Sequence, residues 1–176
     1  GIRVSVNDLI VKACALALPK FPMLNSSFQG DKLLVHANVN MGIAIDLEDR
    51  GLIVPAIPRC ENRTLAEIAE ASKDLADRAK TDRLKAEEYT GSTFTVSNLG
   101  MFDVTSFIAI IQPPQSAILA VGNVAEKPVV RDGQVCIALM MTATLSADHR
   151  IIDGVEGARF LVEIKSLLEN PLGLLL

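Results

Sequence analysis

Two histidines occur in 176 residues, and one of them, His149, stands between Asp148 and Arg150 in the stretch SADHRIIDG, residues 146 to 154. An imidazole with an ordinary pKa of ~6.5 exchanges its proton near neutrality. Asp148, Arg150 and Asp153 around it form a charge cluster that can fix its orientation, which makes His149 a candidate functional residue. Each residue also has a plainer use. Asp148 and Arg150 read as a partly buried ion pair that shapes the loop, Asp153 as the N-cap of a helix opening at Gly154, and a histidine at a strand end as a hydrogen-bonded structural residue. Ser97, in STFTVSNLG, has no His or Asp near it in sequence and lacks the G-x-S-x-G surroundings of a hydrolase nucleophile. By itself it reads as an ordinary strand serine. Alternation places Phe94 and Val96 on one side of its strand and Thr93, Thr95 and Ser97 on the other, so that side carries hydroxyls. Cys136 lies in an apolar strand where nothing lowers a thiol pKa, which argues against a Cys136–His149 nucleophile. His36, alone in LVHAN, reads as surface or core filler.

These residues need elements to position them. SVNDLIVKACALALPKFP predicts a helix with Ser5 as N-cap, Asp8 in the first turn, and Leu9, Ile10, Ala13, Leu16 and Ala17 at helical spacing; Pro19 ends it. LLVHA, VNMGIAIDL and GLIVPAIP read as strands, the last two joined by a turn at 48–51. The segment 63–89 predicts one helix with a Thr64–Glu67 capping box. The Ser97 strand follows, then SAILAVG, KPVVRDGQV and CIALMMTATLS, with a hairpin signal at Asp132-Gly133. Thr142, Thr144 and Ser146 share a face of the last. A helix from Gly154 to about residue 170 closes the pattern, stopped by Pro171. The apolar LGLLL that follows is expected to dock into a pocket on this or a neighbouring subunit.

Length fits one domain with a core of its own. Hydrophobic residues make up 49% of the chain, yet no apolar run reaches the ~18 residues a membrane span needs. The excess predicts an oligomer that hides apolar surface between copies. A net charge of −4 with scattered basic residues argues against nucleic acid. Cys14, Cys60 and Cys136 are spaced for neither a disulfide framework nor a zinc site and read as buried small hydrophobes.

DHRIIDG at 148–154, STFTVSNLGMF at 92–102, DRGLIVPAI at 49–57 and SVNDLIVKACALAL together resemble the catalytic domain of the dihydrolipoamide acyltransferases, the core subunits of 2-oxo acid dehydrogenase complexes, most of all the acetyltransferase of pyruvate dehydrogenase. The interval of 52 residues between Ser97 and His149 also fits that family. The resemblance covers essentially the whole chain and implies one acyltransferase catalytic domain, 1–176, lacking the family's upstream segment. The fold it implies is α/β (α+β): a chloramphenicol-acetyltransferase-like mixed sheet flanked by helices, trimeric, with active sites in channels between subunits.

The resemblance further implies transfer of an acyl group, most simply acetyl, between dihydrolipoamide and coenzyme A. His149 would take the thiol proton, and Ser97 of the neighbouring subunit would donate to the oxyanion, a bond typically worth ~3 kcal/mol. Asp153 would support the histidine loop. Coenzyme A and a lipoyl group on a separate domain are the implied substrates, with no metal. The implied partners are two further copies in a homotrimer that assembles into a larger core, lipoyl domains, and decarboxylase and dihydrolipoamide dehydrogenase components, in bacterial cytoplasm or the mitochondrial matrix. The tail LGLLL resembles the anchor between trimers. Asp103 stands where relatives commonly carry glycine, so the loop after Ser97 is expected to differ. Two other readings remain open: a non-catalytic scaffold of such a complex, and a small-molecule O-acetyltransferase of the same fold.

Overall fold

Ser5 caps the first helix by a reciprocal pair of bonds: its Oγ accepts from Asp8 N at 3.2 Å, and the Asp8 carboxylate accepts from Ser5 N at 2.8 Å. Two of the donors orphaned at a helix start are thereby satisfied. The computed structural model describes residues 2–175. In chain order its regular elements are α1 (Val6–Ala17), β1 (Ser26–Gln29), β2 (Lys32–Val35), β3 (Met41–Ile43), β4 (Ile45–Asp46), β5 (Leu52–Ile53), β6 (Ala56–Ile57), α2 (Leu65–Lys80) and α3 (Ala86–Thr90). The second half holds β7 (Phe94–Asn98), β8 (Ala117–Val121), β9 (Ala125–Arg131), β10 (Gln134–Met140), β11 (Ala143–Ala147) and α4 (Gly154–Glu169).

The main sheet has the order β11-β8-β7-β3-β6. Its three central strands run parallel, and β11 and β6 are antiparallel edges. Buried on both faces, β8 reads as the unbroken apolar run AILAV. Three helices pack on the sheet. α1 carries buried residues almost all round, because α2 and α4 flank it. Phe160 of α4 meets Phe94 of β7 and Phe21 edge-on, with ring centroids 5.6 Å apart in both pairs. On the opposite face the irregular segment 104–112 lies along β8, where Ala109 packs on Ile118 and Ala120. Its approach is so close that a Cβ on Gly122 would sit 2.0 Å from the Thr105 carbonyl oxygen.

Several expected elements are divided. The single helix over 63–89 becomes α2 and α3, broken where Asp82 takes φ +54°. VNMGIAIDL and GLIVPAIP each split, because β3 and β6 join the main sheet while β4 and β5 pair with each other. CIALMMTATLS splits at Met141-Thr142: β10 pairs with β9 in a ribbon apart from the main sheet, and β11 pairs with β8. Thr142 thus falls outside the strand that carries Thr144 and Ser146. Strand propensity marks extended backbone but does not choose its partner, which explains these divisions.

The tail LGLLL docks in part on its own chain. Leu174 is buried, whereas Leu172 and Leu175 are exposed; residue 176 lies outside the described residues. Cys14 and Cys60 are buried as expected, but Cys136 is only half-buried on the ribbon.

Candidate active site

Ser97 sits near the carboxyl end of β7, half-buried, with no hydrogen bond to its hydroxyl from the described residues. It lines a cleft of about 670 Å³. Crevices at the carboxyl ends of parallel strands are the usual ligand sites of α/β sheets. Ile43, Val96, Leu52 and Phe102 make much of its apolar wall, and Arg3, Lys73 and Lys80 bring cations to it. Ser72 lines it too, and its Oγ is buried with no partner among the described residues.

Asn98, which the sequence reading passed over, secures the strand end. Its Nδ2 donates to Asn7 Oδ1 at 3.1 Å, tying β7 to the first turn of α1. Its Oδ1 accepts from Gly100 N at 2.8 Å and shapes the turn that follows. An Asn next to a Gly two residues on is a turn signal that sequence can carry. Asp103 adopts the left-handed conformation at φ +57°, and its carboxylate accepts from Asn123 Nδ2. That bond holds an aspartate where glycine would be the less strained residue.

The hydroxyls expected beside Ser97 are otherwise engaged. Thr93 and Thr95 are buried; Thr93 Oγ1 donates to Asn25 Oδ1 at 2.6 Å and Thr95 Oγ1 to Gln115 Oε1 at 2.7 Å. They belong to an internal polar network, and Ser97 alone of the three reaches the cleft. His36 is part of the same region: its Nε2 lies 2.6 Å from Ser27 Oγ, and burial lowers its pKa.

His149 is exposed in the turn after β11, and its imidazole has no hydrogen bond among the described residues. Asp148 and Arg150 make the expected ion pair, Nη2 to Oδ2 at 2.6 Å, and Arg150 holds the Asp148 carboxyl below its ordinary value. The charge cluster is therefore closed on itself and does not grip the ring. Asp153 caps α4, its Oδ1 accepting from Glu156 N at 2.7 Å, as the plainer reading had it.

Register separates Ser97 from His149. Ser97 lies opposite Ala120 of β8, whereas Asp148 N bonds Ser116 O at the other end of that strand. Four residues at ~3.3 Å each put about 13 Å between them along the strands, with β8 interposed. His149 does not line the Ser97 cleft. Within one chain the two groups cannot share a reacting atom. Among the described residues no group of three or more His, Cys, Asp or Glu side chains is placed to hold a metal, and no helix is long and apolar enough to cross a membrane.

Comparison with known proteins follows the same lines. The dihydrolipoyllysine-residue acetyltransferase component of the Rickettsia felis pyruvate dehydrogenase complex is 43% identical over 169 residues, covering 96% of this chain and 41% of the relative. A mitochondrial counterpart, component 3 of Arabidopsis thaliana, is 46% identical over 179 residues, with 100% and 33% covered. The chain thus spans about 40% or less of these curated relatives. Among solved structures, the cubic core of the pyruvate dehydrogenase multienzyme complex matches with a TM-score of 0.93 at 36% identity, over 100% of this chain and 73% of that one.

The Azotobacter vinelandii dihydrolipoamide acetyltransferase matches equally, at TM-score 0.93 and 37% identity over the same shares, in work on the role of a serine, a histidine and an asparagine in its catalytic mechanism; 52 residues separate the first two and 4 the last two. Chloramphenicol acetyltransferase, 17% identical over 93% of this chain and 78% of its own, shares the fold at TM-score 0.59. The family model for the 2-oxoacid dehydrogenases acyltransferase catalytic domain matches residues 1–176. The chain belongs to the family of 2-oxoacid dehydrogenase acyltransferases, which it matches across their catalytic domain.

Proposed function

We propose that the chain transfers an acetyl group between coenzyme A and dihydrolipoamide, at a site completed by two copies. The observation that carries this reading is the pair Ser97 and His149, held at opposite ends of one sheet. The same intervals that separate the serine, histidine and asparagine of the Azotobacter protein separate Ser97, His149 and Asp153, with aspartate at the third place. His149, unencumbered at its turn, takes the proton of the attacking thiol. Ser97, with its hydroxyl free of other partners among the described residues, donates to the oxyanion of the tetrahedral intermediate. Asp153 holds the start of α4 beneath the histidine turn. The apolar cleft beside Ser97 suits the pantetheine arm of coenzyme A, Ser72 Oγ offers it a polar contact, and Arg3, Lys73 and Lys80 suit its phosphates.

Assembly is supported by apolar surface that water would not leave bare. Val130, Val135, Ile137 and Leu139 stand 71–75% exposed along one face of the β9–β10 ribbon, and Ile108 and Ile110 are 82% and 91% exposed on segment 104–112. A second copy covers such surface. The likeness to a cubic core supports assembly into a larger core; we read its unit as a homotrimer, served by lipoyl domains and by decarboxylase and dihydrolipoamide dehydrogenase components. The bacterial and mitochondrial relatives support a reading of bacterial cytoplasm or the mitochondrial matrix.

Acetyl transfer from acetyl-CoA to dihydrolipoamide tests the proposal. His149→Ala is expected to lower kcat by ~10²–10⁴ and Ser97→Ala by ~10²–10³. Unfolded together and reassembled in equal amounts, the two variants should regain about a quarter of the parental activity, the random share of sites that receive an intact residue from each copy. No recovery places both groups in one chain, and a parental rate for His149→Ala removes the base.

A further inference from the structure

The turn that carries His149 is held by the residues on either side of it. Asp148 N donates to Ser116 O at 2.8 Å, and the Asp148 carboxylate accepts from Arg150 N at 3.0 Å, Nε at 2.9 Å and Nη2 at 2.6 Å. Ile151 N and Ile152 N then donate to Asp148 O at 2.9 and 3.0 Å. Apart from the Ser116 bond, these hydrogen bonds fold the turn on itself; its far side is anchored by Ile152, buried in the core, with Ile151 packed against that core. Arg150 adds a tether of its own: its guanidinium carbon lies 4.2 Å from the centroid of the Phe28 ring. Phe28 belongs to β1, which pairs with β2 and whose Phe28 N donates to Pro114 O at 3.0 Å. A guanidinium lies flat on an aromatic face and is drawn to its quadrupole, an arrangement that an aliphatic side chain does not reproduce.

We infer that Phe28 is a positioning residue for His149: its ring and the Asp148 carboxylate clamp the Arg150 guanidinium between them and so fix the direction of the imidazole. This rests on His149 being the general base. The ring must meet a thiol and a serine brought by another copy, so slack in its turn is read as lost rate. The Ser97 cleft, at the far end of the sheet, is untouched by the clamp, and KM for acetyl-CoA should not move.

The experiment compares Phe28→Leu, Phe28→Tyr, Arg150→Gln and the Phe28→Leu/Arg150→Gln double variant in the assembled protein. It measures acetyl transfer to dihydrolipoamide and hydrogen exchange of the Ile151 and Ile152 amides. Phe28→Leu is expected to lower kcat about 3- to 10-fold with KM for acetyl-CoA unchanged, and to speed exchange of both amides. Phe28→Tyr should restore both. Arg150→Gln should match Phe28→Leu, and the double variant should fall no further than either. A Tyr variant as impaired as the Leu variant, additive losses, or a parental rate for Phe28→Leu overturns the inference. The two layers fail differently: a parental rate for His149→Ala removes the base and with it the positioning role, whereas unchanged amide exchange in Phe28→Leu removes the clamp and leaves the base.

Discussion

Asp153 is the N-cap of α4. Its carboxylate accepts from Glu156 N at 2.7 Å and closes the first turn of α4, directly after the histidine turn. Burial, and then the negative charge of Asp153, push the Glu156 carboxyl above its ordinary value. Asp153→Ala is expected to cost about 1 kcal/mol of stability, while Asp153→Asn keeps the cap and stays within a few tenths. Urea unfolding at neutral pH measures the difference; equal losses for Ala and Asn would show that the cap is not what Asp153 contributes. The cap was legible from Asp153-Gly154 and the apolar periodicity after it. The absence of any bond from Asp153 to His149 was not, because closeness in sequence says nothing about which way a side chain turns.

Among the elements, α2 and α3 are joined by a device that sequence periodicity hid. Arg78 of α2 donates Nη1 and Nη2 to Glu88 of α3 at 2.6 and 2.7 Å, and Nε to Asp74 at 2.8 Å. The Arg78 hydrogen bonds hold the Glu88 carboxyl at about 2, against an ordinary 4.5. A carboxyl depressed by folding stabilises above its unfolded value, and that stability is lost as pH falls toward the folded value. Glu88→Gln should therefore melt below the parent at pH 7, with the gap closing between pH 4.5 and about pH 2. Equal melting temperatures at pH 7 would leave the pair without a stabilising role. The apolar face of 63–89 runs from Leu65 to Ala79 and no Gly or Pro interrupts the residues that follow, so pattern alone predicts one helix; Asp82 at φ +54° turns the chain instead.

For the whole molecule, the decisive feature is that the sheet sets Ser97 and His149 apart and leaves apolar surface on the β9–β10 ribbon. In the proposed assembly a second copy answers both. Ile137→Lys puts a charge on the ribbon face at a position 74% exposed in the single chain, so it should leave the fold intact. It should shift the assembly toward smaller species in sedimentation velocity and lower acetyl transfer in proportion. A variant that keeps the parental sedimentation profile would free the ribbon from the interface.

Local chemistry determined much of this protein from sequence alone. The Ser5 cap, the Thr64–Glu67 capping box, the Asp132-Gly133 hairpin and the closing helix follow from neighbours within four residues, where side chain and backbone meet whatever the rest of the chain does. The quoted stretches carried the family. Only the tertiary structure decided which strands pair, that Thr93 and Thr95 turn into an internal network while Ser97 faces the cleft, and that Phe28, 122 residues before Arg150, lies beneath it. Such contacts join segments far apart in the chain, and residue type does not name a distant partner.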